Sequence, residues 1–210
     1  MSHAETKNHW EKVWSNKRPT ETSWYQEIPS VSLAMVERSG LDHEAALIDV
    51  GCGASLLVDH LLGAGYRDLT VLDVSRAALA QARQRLAEKA ALVDWIESDV
   101  RVFQPPRRYA LWHDRAVFHF LTKKTWRAQY VKSLERSVKA GGQAIIASFA
   151  PGGPRQCSGL DVVQYDAASL QAVLGPAWRL LEEQAELHRT PAGGEQKFGF
   201  FHFEHRITQA

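Results

Sequence analysis

The chain has 210 residues, 45% of them apolar, enough for one globular domain with a sizeable core. Its 25 Lys and Arg stand against 24 Asp and Glu, a formal charge of +1, which excludes a broad electrostatic pull toward nucleic acid. Two cysteines, Cys52 and Cys157, exclude a disulfide framework; with no run of 18 apolar residues and no signal-like start, the expectation is a cytoplasmic protein without a membrane partner.

In chain order, His9 to Trp14 and Trp24 to Glu37 read as helices, the second stopping near Ser39-Gly40. A first strand at 46–50 leads through a helix at 54–64, closed by Gly65, to a second strand at 69–73. Ser75 then caps a helix at 76–89, and a third strand runs from Leu92 to Ile96. Pro105-Pro106 interrupts regular structure before a fourth strand, Tyr109 to His113. Thr122 is expected to cap a long helix reaching Lys139, ended by Gly141-Gly142, with a fifth strand at Gln143 to Phe149. Ala150 to Gly159 is too rich in Gly and Pro for an element and reads as a long loop. Asp166 caps a short helix to Leu174, and Trp178 to His188 and Lys197 to Ile207 read as two strands around Pro191-Ala192-Gly193-Gly194. Alternating strands and helices with strands apolar on both faces predict an α/β fold: a parallel sheet covered by helices.

The densest signal is Ile48-Asp49-Val50-Gly51-Cys52-Gly53 followed by Leu72-Asp73-Val74-Ser75. It reads as a strand, a glycine turn, a helix and a second strand that stops at a carboxylate, a unit suited to a nucleoside. The third glycine of a dinucleotide fingerprint is missing, since Ala54, Ser55 and Leu56 follow, and no phosphate-binding Gly-Lys-Ser/Thr run occurs. With Ser98-Asp99-Val100 at the next strand end, these segments resemble the class I S-adenosylmethionine-dependent methyltransferases over roughly residues 45–150. The resemblance implies a Rossmann-like fold with a seven-stranded, mostly parallel sheet, an antiparallel C-terminal hairpin and helices on both faces. It further implies that Gly51 and Gly53 pass beneath the methionine and ribose, that Asp73 takes the ribose hydroxyls, and that Asp99 accepts from the adenine amino group. Val74 and Val100 would flank the ring, and Asp49 would support the turn or the ammonium. Plainer roles stay open: Asp73 as a helix cap, Asp99 as a turn residue.

His113, Asp114 and Arg115 follow the fourth strand, with His119 four residues on. Asp114-Arg115-Ala116-Val117 resembles the Asp-Arg-Gly-Ala run of thiopurine and related small-thiol methyltransferases, with Ala116 in place of the glycine; it matches the Asp-Lys-Gly-Thr run of some protein lysine methyltransferases less well. His113 or His119 would suit a protonated nucleophile as general base, and Arg115 would suit a thiolate. Otherwise His119 is a core residue and Arg115 pairs with Asp114. Trp10, Trp14, Trp24 and Tyr25 are dense enough to form a lid over the cofactor, Trp14 and Trp24 being expected to touch it. Nine scattered histidines with no metal-type spacing predict no metal site.

Together these readings divide one domain, 1–210, into a helical lid (1–40), a cofactor core (45–150) and a substrate-side loop and hairpin (151–210). They predict methyl transfer to a small molecule, with a thiol or other soft atom as the candidate acceptor, by a monomer or homodimer. The rivals are a protein lysine methyltransferase, for which an open acidic groove would speak, and a non-catalytic nucleoside-binding or scaffolding protein.

Overall fold

A computed structural model describes residues 1–206. Seven strands form one sheet: β1 (Leu47–Val50), β2 (Leu69–Asp73), β3 (Val93–Glu97), β4 (Tyr109–Arg115), β5 (Val138–Phe149), β8 (Trp178–Arg189) and β9 (Glu195–His205). Their order across the sheet is β3-β2-β1-β4-β5-β9-β8. The pairs from β3 to β5 are parallel, and β9 and β8 are antiparallel additions. The expected α/β sheet with its antiparallel hairpin is present; Ile207, assigned to the last strand, lies outside the described residues. Two further short strands, β6 (Gln156–Cys157) and β7 (Leu160–Asp161), pair with each other inside the segment read as a loop.

The sheet carries a core on each face. Leu47, Leu111, Ile145 and Phe149 point to one side, where α2 (Ser30–Arg38), α3 (Leu57–Gly63) and α4 (Arg76–Leu86) cover them with Met35, Leu61 and Leu79. Ile48, Val50, Trp112 and Ile146 point to the other, against Tyr130 and Leu134 of α5 (Lys124–Ser137) and Leu170 of α6 (Ala167–Leu174). Each such fully buried side chain contributes about 2–3 kcal/mol of apolar burial. The first helix, α1 (His3–Asn16), docks separately, its buried Trp14 packing on Ala54 and Ala78.

Several boundaries differ from expectation. Residues 24–29 are not helical and α2 begins after Pro29, because proline disfavours helical backbone in the residue before it. Neither Thr122 nor its neighbour Lys123 caps α5 with a side chain, and the helix stops at Ser137 rather than Lys139. The apolar Val138 pairs with Tyr109, so β5 starts early and absorbs Gly141 and Gly142 through a register shift. By contrast Ser75 caps α4 by accepting from Ala78, and Asp166 caps α6 by accepting from Ser169.

Candidate active site

Strand order reverses between β1 and β4, so their carboxyl ends leave a crevice, which is where ligands bind on open α/β sheets. One continuous cleft runs along this edge. Its lining includes Asp49, Gly51, Gly53, Asp73, Val74, Asp99 and Val100 at one end, and Arg115, Phe149, Cys157 and Phe198 at the other. Trp10, Trp14 and Trp24 border it, their rings meeting edge to face at about 6.0–6.1 Å.

At the glycine turn both glycines have left-handed backbone, φ +63° at Gly51 and +53° at Gly53. The space their missing Cβ atoms leave is filled from within the chain: a Cβ on Gly51 would run into Val117, and one on Gly53 would come within 2.5 Å of the Trp14 ring. The missing side chains thus let Val117 and the Trp14 ring close directly onto the turn. Asp73 ties it down, accepting from the Gly53 amide and the Ser75 amide, each at 2.8 Å. Asp73 therefore braces the cap residue Ser75 as well as lining the cleft. Burial pushes its carboxyl up to about 6, against the pull of those amides. Each oxygen takes one amide and has a lone pair left for a hydroxyl, so the group fits a ribose.

Asp99 is more heavily engaged. Arg101 donates to it from its backbone amide at 2.9 Å and from its side chain, and His3 of α1 lies 2.8 Å away. Burial works against its charge, but these hydrogen bonds outweigh it and hold the carboxyl below its usual range.

The residues after β4 separate, because successive side chains of a strand point to opposite faces. His113 and Arg115 share the cleft side. His113 Nδ1 meets Asp49 at 2.7 Å and its Nε2 meets the Ser32 hydroxyl at 2.9 Å. With Asp49 ionised, Nδ1 donates to it and Nε2 accepts from Ser32, so neither nitrogen is free to act as the base the sequence suggested. Asp114 points away from the cleft, accepting from the Tyr130 hydroxyl at 2.6 Å and the Val117 amide at 2.8 Å. It neither lines the cleft nor pairs with Arg115, and burial lifts it to about 6. His119 is also displaced from the expected site: it is fully buried, its Nδ1 accepts weakly from the Phe149 amide at 3.4 Å, and burial holds its titration down to about 3. An imidazole that stays neutral inside a core is packing material.

Arg115 donates from Nη1 to the Trp24 carbonyl at 2.9 Å and lies 4.8 Å over the Phe198 ring. Sequence reasoning missed its neighbour Glu186, the His113 partner Ser32, and Glu11, which accepts from the Ser75 hydroxyl at 2.8 Å and fastens α1 to α4. No local pattern announces pairings between residues so far apart in the chain.

Residues 47–142 match a family model described as a methyltransferase domain. Over these residues, a little under half of the chain, the core is similar to methyltransferase domains, and S-adenosylmethionine is the cofactor that this likeness implies. A stretch of 99 residues is 23% identical to the mouse (Mus musculus) eEF1A lysine and N-terminal methyltransferase; the match takes in 47% of this chain but only 14% of that protein. The fold is shared with a structure described as the conversion of a disulfide bond into a thioacetal group during echinomycin biosynthesis: TM-score 0.77, 18% identity, 98% of this chain and 93% of that one. The N-methyltransferase NodS of Bradyrhizobium japonicum WM9, in complex with S-adenosyl-L-homocysteine, superposes with TM-score 0.71 at 15% identity over 95% of this chain and 100% of that one.

Proposed function

We propose that the chain transfers a methyl group from S-adenosylmethionine to a small-molecule nucleophile, an acceptor such as a thiol that carries a soft atom. The observation that carries this reading is the single cleft joining Asp73 to Arg115 beneath a roof of tryptophans. When bound, the cofactor supplies a methyl group activated on a sulfonium. In this reading Asp73 accepts the ribose hydroxyls, Val74 and Val100 flank the adenine, and Asp99 accepts its amino group. Asp49, braced by His113, which Ser32 holds in turn, faces the methionine ammonium. Residues 1–40 serve as the lid, with Trp14 and Trp24 excluding water so that alignment governs the rate.

A soft acceptor is favoured by the polar groups present. None of the groups the sequence suggested as a general base is free in the cleft: His113 is doubly bonded, while Asp114 and His119 lie outside it. Cys157 faces the cleft as a neutral thiol, its titration raised by burial to about 11. A nucleophile that sheds its own proton near neutral pH, as a thiol does, needs no such base. The relatives that modify eEF1A lysine raise the protein-substrate alternative, but a closed aromatic cup suits a small molecule better than an open acidic groove would.

Calorimetric titration with S-adenosylmethionine and S-adenosylhomocysteine tests the cofactor; micromolar binding that Asp73→Ala abolishes is expected, and no heat from either nucleoside would end the proposal. Labelled methyl transfer to a panel of thiols, run beside a whole-cell protein extract, tests the acceptor. Label appearing only in protein would reverse the choice.

A further inference from the structure

Unsatisfied polar atoms gather around Arg115. With Nη1 committed to the Trp24 carbonyl, Nε and Nη2 have no hydrogen-bond partner. These two N–H groups form the parallel side edge of the guanidinium, spaced to meet two oxygens or to share one. Glu186 lies behind, its Oε1 accepting from Gln26 at 2.7 Å and its Oε2 unpartnered. Arg115 Nη2 and Glu186 Oε2 are 3.8 Å apart, close enough to balance charge in a buried place and too far for a hydrogen bond. Both side chains are nearly inaccessible, 12% and 13% exposed. Phe198 beneath the guanidinium and the Trp24 carbonyl at its far edge fix its plane, and Arg115 and Phe198 belong to the acceptor end of the cleft. Buried polar atoms are rarely left unpaired in a folded chain, and here two donors of the cleft-lining Arg115 stand next to an acceptor on Glu186, just behind that lining.

We propose that Arg115 and Glu186 recognise the head group of the methyl acceptor, and that this group carries a carbonyl or carboxylate oxygen beside an N–H. The oxygen accepts from Arg115 Nε and Nη2, and the N–H donates to Glu186 Oε2. This rests on the methyl-transfer reading above and narrows its substrate class. The charge balance sets the class: burial draws the guanidinium down only to about 10, so it stays cationic at neutral pH, and it faces a carboxylate. A head group neutral overall, whether an amide or an amino-acid zwitterion, satisfies both partners. A bare carboxylate would set a second anion against Glu186, and a bare ammonium a second cation against Arg115.

Four matched probes test this on protein saturated with S-adenosylhomocysteine, with binding read from tryptophan fluorescence: benzamide, phenylglycine, benzoate and benzylamine. Benzamide and phenylglycine are expected to bind at least about tenfold more tightly than the singly charged pair. Comparing the first two separates an amide from a zwitterion. Arg115→Gln is expected to erase the preference and Glu186→Gln to raise benzoate to the level of benzamide. Arg115→Lys, which keeps the charge without the fork, should lose benzamide about tenfold and serves if Arg115→Gln does not fold. Benzoate or benzylamine binding best, equal binding unmoved by the substitutions, or no binding by any of the four would overturn the proposal. Failure to take up S-adenosylhomocysteine would instead remove the methyl-transfer reading, and this proposal with it.

Discussion

Asp73 joins two jobs in one carboxylate, bracing the glycine turn through Gly53 and the start of α4 through Ser75. Asp73→Asn keeps the shape and one acceptor oxygen but gives up the charge, so S-adenosylhomocysteine should bind about tenfold more weakly, as titration calorimetry would read. Ala116 offers a second single-residue test. Its backbone adopts φ +73°, with its amide donating to the Ala147 carbonyl at 2.9 Å. An L side chain is strained there. Ala116→Gly should therefore stabilise the protein by about 0.5–1 kcal/mol in urea unfolding, the relief exceeding the entropy that glycine adds to the unfolded chain.

Among the elements, β4 shows how far a strand can be read from its letters. His113, Asp114, Arg115 and His119 look like one cluster on the page, yet period-two alternation sends Asp114 to the α5 side, and the turn after the strand turns His119 into the core. The alternation was available in the sequence; what concealed it was an early end to the strand, placed at His113 instead of Arg115. β1 and β2 were legible because both faces are buried and their ends carry glycine or carboxylate. Helix α1 depends on contacts no periodicity reveals: Glu11 at the start of α4, Gln81 donating to the Trp14 carbonyl at 2.5 Å, and Lys7 paired with Glu97. Removing the Glu11 carboxylate by Glu11→Ala should cost about 1 kcal/mol at that helix N-terminus and loosen the roof. Stopped-flow fluorescence should then show S-adenosylhomocysteine leaving faster; an unchanged off-rate would deny α1 its part as a lid.

At the scale of the whole molecule, strand reversal between β1 and β4 gathers residues from stretches spread along most of the chain around one crevice, and the strand ends beside the glycine turn announce themselves most plainly in the sequence. The same packing sets the response to acid. Asp73 and Asp114 titrate near 6 in the fold against 3.8 in an open chain, so between those values the folded state holds more protons and their contribution to stability falls as pH rises. His119 runs the other way: it titrates near 3 when folded and near 6.5 when not, so the stability it permits above pH 6.5 is lost as pH falls. His119→Leu should therefore gain on the parent protein at pH 4.5 relative to pH 7 in urea unfolding; a pH-independent difference would contradict the assignment. Methyl transfer by this variant should persist at neutral pH, since the imidazole lies outside the cleft. One last consequence concerns Asp99, which His3 of the first helix already occupies. If the nucleobase needs the same acid, the door and the guest contend for a single latch, and every arrival must begin with the N-terminal turn letting go. Trimming that hold by His3→Ala should quicken loading, measurable as a faster association rate, while leaving the chamber less firmly shut.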